Sequence, residues 1–155
     1  MRHVFLRILL IILGFLPLPA GFWLHDAMMT RWFYQMPPNG LLNAIVIIFL
    51  LVWFFAGFFA VKFGLGKIES PILFNTANLG VLTLILIQFL FFDGFWTNRA
   101  GLYGQFFFLP VVRLARILPL NTIGPYSPFI FSSLMLVLAT CLGIWFGGRF
   151  RNEQK

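Results

Sequence analysis

Apolar residues of this chain fall in four long runs without a charge, Ile8–Leu24, Leu41–Val61, Ser70–Phe92 and Ile117–Gly148. Every Lys, Arg, Asp and Glu lies at the ends of these runs or between them. A transmembrane helix needs about 20 predominantly apolar residues to cross the hydrocarbon core of a bilayer. The pattern therefore predicts an all-α membrane protein, a four-transmembrane-helix bundle that forms one integral domain over residues 1–155.

Residues typical of turns and helix starts define the predicted ends of the spans. Pro17 and Pro19 should kink the first span or end its regular part, because each removes a backbone hydrogen-bond donor. A first loop is expected from His25 to Gly40, closed by a Pro-Pro-Asn-Gly turn. The basic start and Ala20 also resemble a signal peptide, but apolar residues continue past that point, so an uncleaved first span is expected. The predicted spans cover residues 4–24, 41–61, 71–92 and 129–148.

The connection between spans 3 and 4 is too apolar for a free aqueous loop. Its segment at about 102–118 contains Leu109–Leu118, which reads as a short amphipathic helix with Pro110 near its start. Arg113 and Arg116 lie three residues apart and so share one helix face. We expect an interfacial or re-entrant helix whose arginines either contact anionic lipid headgroups or only anchor the loop in the interface.

Lys and Arg are distributed unevenly over the two sides, with seven on the side of both termini and four on the other. The positive-inside rule therefore predicts cytoplasmic termini in a multi-pass plasma-membrane protein, with a bacterial inner membrane favoured. The net charge of +7 and the pI near 10.6 would suggest nucleic acid in a soluble protein. Here the basic residues flank spans, so nucleic-acid binding is not expected.

Polar residues that follow spans 1 and 3 belong to the predicted outer side. If these span ends are adjacent, His25 beside Asp26 could act as a general base or a pH sensor. The alternative is a set of charge pairs that ties loops together. No nucleophile motif is present, and two distant His and the lone Cys141 exclude paired-Cys or paired-His metal and haem sites. No catalytic residue, metal or cofactor is therefore predicted. The candidate outer-face anion site comprises His25, Asp26, Arg31, Asp93, Arg99, Arg113 and Arg116.

Within the spans the polar groups are amides and hydroxyls. Such groups commonly join helices by hydrogen bonds, and the alternative is a path for a ligand or ion. The candidate intramembrane contacts are Asn75, Thr76, Asn78 and Gln88. Small residues repeat every four positions, which permits close helix approach within one bundle or between copies. The candidate packing residues are Ala56, Ala60, Gly64, Ala139, Gly143 and Gly147.

Three functions remain open, and an enzyme is not favoured. The first is a non-enzymatic accessory or scaffold subunit of a larger membrane complex, whose partners are the lipid bilayer and another membrane protein or a second copy. The second is an oligomeric transporter or channel for small solutes or lipids, although no span carries the charge that such mechanisms often use. The third is an enzyme that acts on a lipid or lipid-linked substrate at the outer leaflet.

Overall fold

The computed structural model describes residues 2–31, 38–92, 99–112, 124 and 126–152, and these contain no β-strand. Within these residues, four helical segments are long and apolar enough to cross a membrane: Val4–Thr30, Asn39–Lys62, Glu69–Phe91 and Ser127–Phe150. The predicted helical architecture with four apolar spans is confirmed. The helices are α1 (Arg2–Gly14), α2 (Pro17–Thr30), α3 (Asn39–Lys62), α4 (Glu69–Phe92), α5 (Arg99–Phe108) and α6 (Ser127–Asn152).

The first apolar segment is broken between α1 and α2. The amides of Phe15 and Leu16 donate to carbonyls three residues back, over 3.1 and 3.0 Å, and so form a turn before Pro17. Pro17 and Pro19 cannot donate the next helical hydrogen bonds, so the predicted interruption by proline is confirmed. The expected loop from His25 is wrong, because α2 continues to Thr30.

Gly64 ends α3. Its φ of +93° lies in the left-handed region, where a side chain is disfavoured. The Gly64 amide donates to the Val61 carbonyl and the Leu65 amide to the Ala60 carbonyl, over 3.1 and 3.0 Å. These two bonds make a Schellman motif. Gly64 was predicted to belong to a helix-packing stripe, and the structure instead gives it the role of helix terminator.

The helices pair with partners three elements further along the chain. The largest contacts of α1, α2 and α3 are with α4, α5 and α6 respectively. Glycines allow two of these approaches: a Cβ at Gly21 would overlap the Phe106 carbonyl oxygen, and a Cβ at Gly14 would overlap that of Phe74. The core at the centre of the bundle includes Trp53 among its fully buried side chains.

α5 lies in the connection between spans 3 and 4 and ends at Phe108, and residues 109–111 form a turn. The predicted helix at Leu109–Leu118 depends mostly on residues that the structure does not describe, so it stays a prediction. Pro110 lacks the amide that would continue a helix. Phe107 and Val111 are fully buried, and the Val111 carbonyl accepts a 3.3 Å hydrogen bond from the Ser132 hydroxyl of α6. α5 therefore packs into the bundle, and residues 113–118 lie outside the described part.

Candidate functional site

Asn75 is the centre of a buried polar cluster between α3, α4 and α6. Its side-chain carbonyl accepts a hydrogen bond from the Trp53 indole nitrogen at 3.2 Å. Its amide nitrogen donates to the Thr140 hydroxyl at 3.1 Å and to the Pro71 carbonyl at 3.0 Å. One side chain thus joins three helices, each of which is long enough to span a membrane.

Asn78 extends this cluster by one helical turn. Its amide nitrogen lies 3.3 Å from both the Asn75 side-chain carbonyl and the Ser133 backbone carbonyl. Asn78 is fully buried, yet its Oδ1 accepts no hydrogen bond from the described residues. We call Trp53, Asn75, Asn78, Ser133 and Thr140 the amide cluster. Asn75 carries most of its hydrogen bonds, whereas those of Asn78 are long.

The Thr140 hydroxyl and the Trp53 indole N–H are both engaged in hydrogen bonds of the amide cluster. The Thr140 hydroxyl accepts from Asn75 and donates to the Leu136 carbonyl at 3.0 Å, so both of its functions are engaged. The Trp53 indole is fully buried and its single donor is used by Asn75. Buried polar groups without partners are costly in apolar surroundings. This geometry stabilises one arrangement of α3, α4 and α6.

The remaining candidates on α4 do not join the amide cluster. Thr76 is exposed, and its hydroxyl donates to the Ile72 carbonyl of its own helix at 2.8 Å. Gln88 is buried but follows Asn78 by ten residues, which is about 15 Å along the helix axis. The structure therefore brings together two of the four predicted intramembrane residues.

The described residues of the outer-face set, His25, Asp26 and Arg31, all belong to α2 or its C-terminal cap. His25 is half-buried, and its ring centroid lies 4.6 Å from that of Phe106 on α5. Asp26 is the next residue of α2 and is exposed, as is Arg31 at the C-terminal cap of that helix. Arg99 is the first residue of α5 with an undescribed side chain, and Asp93, Arg113 and Arg116 lie outside the described residues.

The packing residues differ in what they contact. A Cβ at Gly143 would overlap the Phe54 carbonyl oxygen of α3, and a Cβ at Gly147 would lie 2.6 Å from that of Phe58. Ala60 and Ala139 are buried, at 1% and 9% exposure. The GxxxG pair therefore packs inside this bundle. Ala56 is partly buried beside a groove between α1 and α3.

Basic residues gather at the end of the bundle opposite α5. The Arg7 Nε atom lies 2.7 Å from the Glu69 Oε1 atom, which joins α1 to the start of α4. Lys62 lies at the end of α3, and Lys67 follows in the connection to α4. This grouping of basic residues agrees with the uneven distribution of Lys and Arg from which the cytoplasmic side was predicted. Which side of a membrane this end faces remains a prediction.

Trp53 was not selected from the sequence, although one signal could have found it. Trp side chains are enriched at the ends of transmembrane helices, where the indole nitrogen reaches water or headgroups. Trp53 lies within the second apolar run, far from both ends. A buried indole usually finds a hydrogen-bond partner, and the amides of the third run were the available acceptors.

No protein-family model, curated protein or solved structure matches this chain.

Proposed function

We propose that this chain is a non-enzymatic accessory subunit of a plasma-membrane complex, which binds another membrane protein through the lipid-exposed faces of α1, α3 and α6. The amide cluster carries this proposal. Three of its hydrogen bonds join different helices, so the cluster supports a fixed bundle better than a path for a solute. The uncharged interiors of the spans add support, because proton- and voltage-coupled proteins commonly place charges there.

Two apolar grooves on the outside of the bundle suit a partner helix. One groove of about 490 Å³ lies between α1 and α3 and includes Leu9, Leu13 and Phe55 in its walls. The other, also about 490 Å³, lies between α3 and α6. Leu51 lines both grooves and is 49% exposed. A helix that fills a groove replaces lipid contacts by closer protein packing.

Site-specific photo-crosslinking tests this interaction in the native membrane. A photoreactive residue at Leu9 or at Leu51 should form a discrete crosslink to another protein. The matched control is Leu84, which is 52% exposed on α4 and lines neither groove. Crosslinks to lipid alone at all three positions would contradict the proposal. The same set of crosslinked proteins at Leu84 as at Leu9 and Leu51 would also contradict it.

The size of the grooves provides a second test. Ala56→Phe places a large side chain in the groove between α1 and α3, where Ala56 forms part of the wall. The partner crosslink from Leu9 should then disappear, while helix content by circular dichroism stays unchanged. The control Thr83→Phe adds similar bulk to an exposed position of α4. An undiminished crosslink in the Ala56→Phe protein would exclude this groove as the binding surface.

A further inference from the structure

A pocket of about 460 Å³ lies at the basic end of the bundle, between the α3–α4 connection and the last turns of α6. It combines two cationic side chains with apolar and aromatic ones. The pocket is separate from the amide cluster and from both apolar grooves. We call it the basic pocket, and its lining residues are Lys67, Cys141, Ile144, Trp145, Gly148 and Arg149.

The two cations are held beside the opening by different contacts. The Arg149 guanidinium lies 5.4 Å from the centre of the Trp145 ring, within cation–π distance. The Lys67 side chain lies over Gly148. A Cβ placed on Gly148 would be 3.3 Å from the Lys67 Cε and 3.5 Å from its Nζ. Gly148 is buried and has no side chain to displace Lys67.

Neither cation forms an ion pair with a described carboxylate. The ion pair found among the described residues joins Arg7 to Glu69. Lys67 and Arg149 therefore contribute two positive charges to the lining of the pocket. Glu153 follows Arg149 by four residues and lies outside the described part. A pocket with two such cations favours an anion, and a guanidinium fits the oxygens of a phosphate group.

We propose that the basic pocket binds the headgroup phosphate of an anionic phospholipid. The apolar side of the pocket distinguishes this ligand from a free phosphate ion. Cys141 and Trp145 are exposed on α6 and form the apolar side of the pocket. Acyl chains can follow this surface while the phosphate contacts Lys67 and Arg149. Trp145 then lies at headgroup level, where Trp is enriched.

Basic pockets between transmembrane helices are a known recognition mode for anionic headgroups. The basic pocket is distinct from the predicted headgroup contacts of Arg113 and Arg116, which precede the start of α6 at Ser127. Lys67 and Arg149 lie at the other end of that helix. The proposal does not depend on a protein partner, so it can hold or fail independently of the accessory role.

Native mass spectrometry of the detergent-purified full chain tests the lipid preference. We expect phosphatidylglycerol to be retained in preference to phosphatidylcholine. Lys67→Gln with Arg149→Gln should weaken phosphatidylglycerol binding about 30-fold, which corresponds to roughly fivefold per basic residue. The control, Arg31→Gln with Lys62→Gln, removes the same charge outside the pocket and should change binding less than threefold. Equal losses in both double variants would overturn the proposal, since net charge alone would then explain the preference.

Two further measurements separate a shaped pocket from simple charge. Gly148→Leu keeps both cations but fills the pocket, and it should weaken phosphatidylglycerol binding at least fivefold. Gly80→Leu is its control, because a Cβ at Gly80 has no neighbour within 4 Å.

Cys141 is the single cysteine of the chain, so its alkylation rate reports on the pocket without labelling elsewhere. Phosphatidylglycerol should slow alkylation of Cys141 in the wild type and in Lys67→Arg with Arg149→Lys, but not in the double Gln variant. Inorganic phosphate alone should give no protection. Protection by phosphate equal to that by the lipid would refute a lipid site in favour of an ion site. Unchanged alkylation with saturating phosphatidylglycerol would refute binding at this pocket, whatever the folding of the Gly148→Leu variant.

Discussion

Gly143→Ala should destabilise the bundle more than a methyl group added at Gly147 or at Gly80. The added Cβ would overlap the Phe54 carbonyl oxygen, which belongs to the α3 backbone and cannot rotate away. α3 and α6 must therefore move apart. The same separation would stretch the hydrogen bond from Asn75 to Thr140, because Thr140 lies one turn before Gly143 on α6.

The expected size follows from two opposing effects. Overpacking of a well-packed interface costs about 1–3 kcal/mol, whereas replacing Gly by Ala in a helix returns about 1 kcal/mol of helix propensity. Gly147→Ala should cost less than Gly143→Ala, since its Cβ would lie 2.6 Å from the Phe58 carbonyl oxygen. Gly80→Ala meets no neighbour and should be neutral or stabilising by up to about 1 kcal/mol.

Reversible unfolding in mixed detergent micelles measures these differences. The free energy of unfolding should fall by about 2 kcal/mol for Gly143→Ala and by about 1 kcal/mol for Gly147→Ala. Circular dichroism in the absence of denaturant checks that each variant keeps its helices. If Gly143→Ala is as stable as Gly80→Ala, then α3 and α6 do not approach as closely as the structure has them, and the reasoning fails.

Three further substitutions test individual contacts in the same unfolding assay. Asn75→Ala should lower the free energy of unfolding by about 1.5–2 kcal/mol, the upper end for intramembrane hydrogen bonds, whereas Asn78→Ala should cost less than about 1 kcal/mol; equal losses would contradict the central role of Asn75. Gly64→Ala should cost about 1–2 kcal/mol through left-handed backbone strain and should speed proteolysis after α3; unchanged cleavage would argue against the Schellman motif. Glu69→Gln should cost less than about 1 kcal/mol, because the pair with Arg7 is partly exposed, and the loss should vanish at high salt.

The number and approximate limits of the spans could be predicted because they depend on local composition. Runs of about 20 apolar residues are decisive by themselves, and a proline identifies a break without knowledge of the fold. The end of the first span was predicted too early, because the local composition changes before the helix ends. His25 and Asp26 looked like loop residues, but Leu24 and Ala27 continue the buried face of α2, so the helix extends past the charge.

The candidate site could be predicted only in part, because a sequence shows which residues share a helix but not which helices meet. Asn75 and Thr76 are adjacent in the chain and equally polar, yet only Asn75 faces α3 and α6. The partners of Asn75 come from distant segments, and Trp53 was the least expected of them. The basic pocket needed the same information, since Lys67 and Arg149 meet only after α6 packs beside the α3–α4 connection.

The order in which the helices pair has a consequence for biosynthesis. α1, α2 and α3 each have their main partner three elements later, in α4, α5 and α6. A ribosome completes all of the first three before any of those partners exists. Newly inserted segments must therefore wait in the lipid, or beside the insertion machinery, without their native neighbours. Because α6 follows the other described helices and is the main partner of α3, a nascent chain truncated before Ser127 should insert its earlier spans but leave α3 accessible to quality-control proteases.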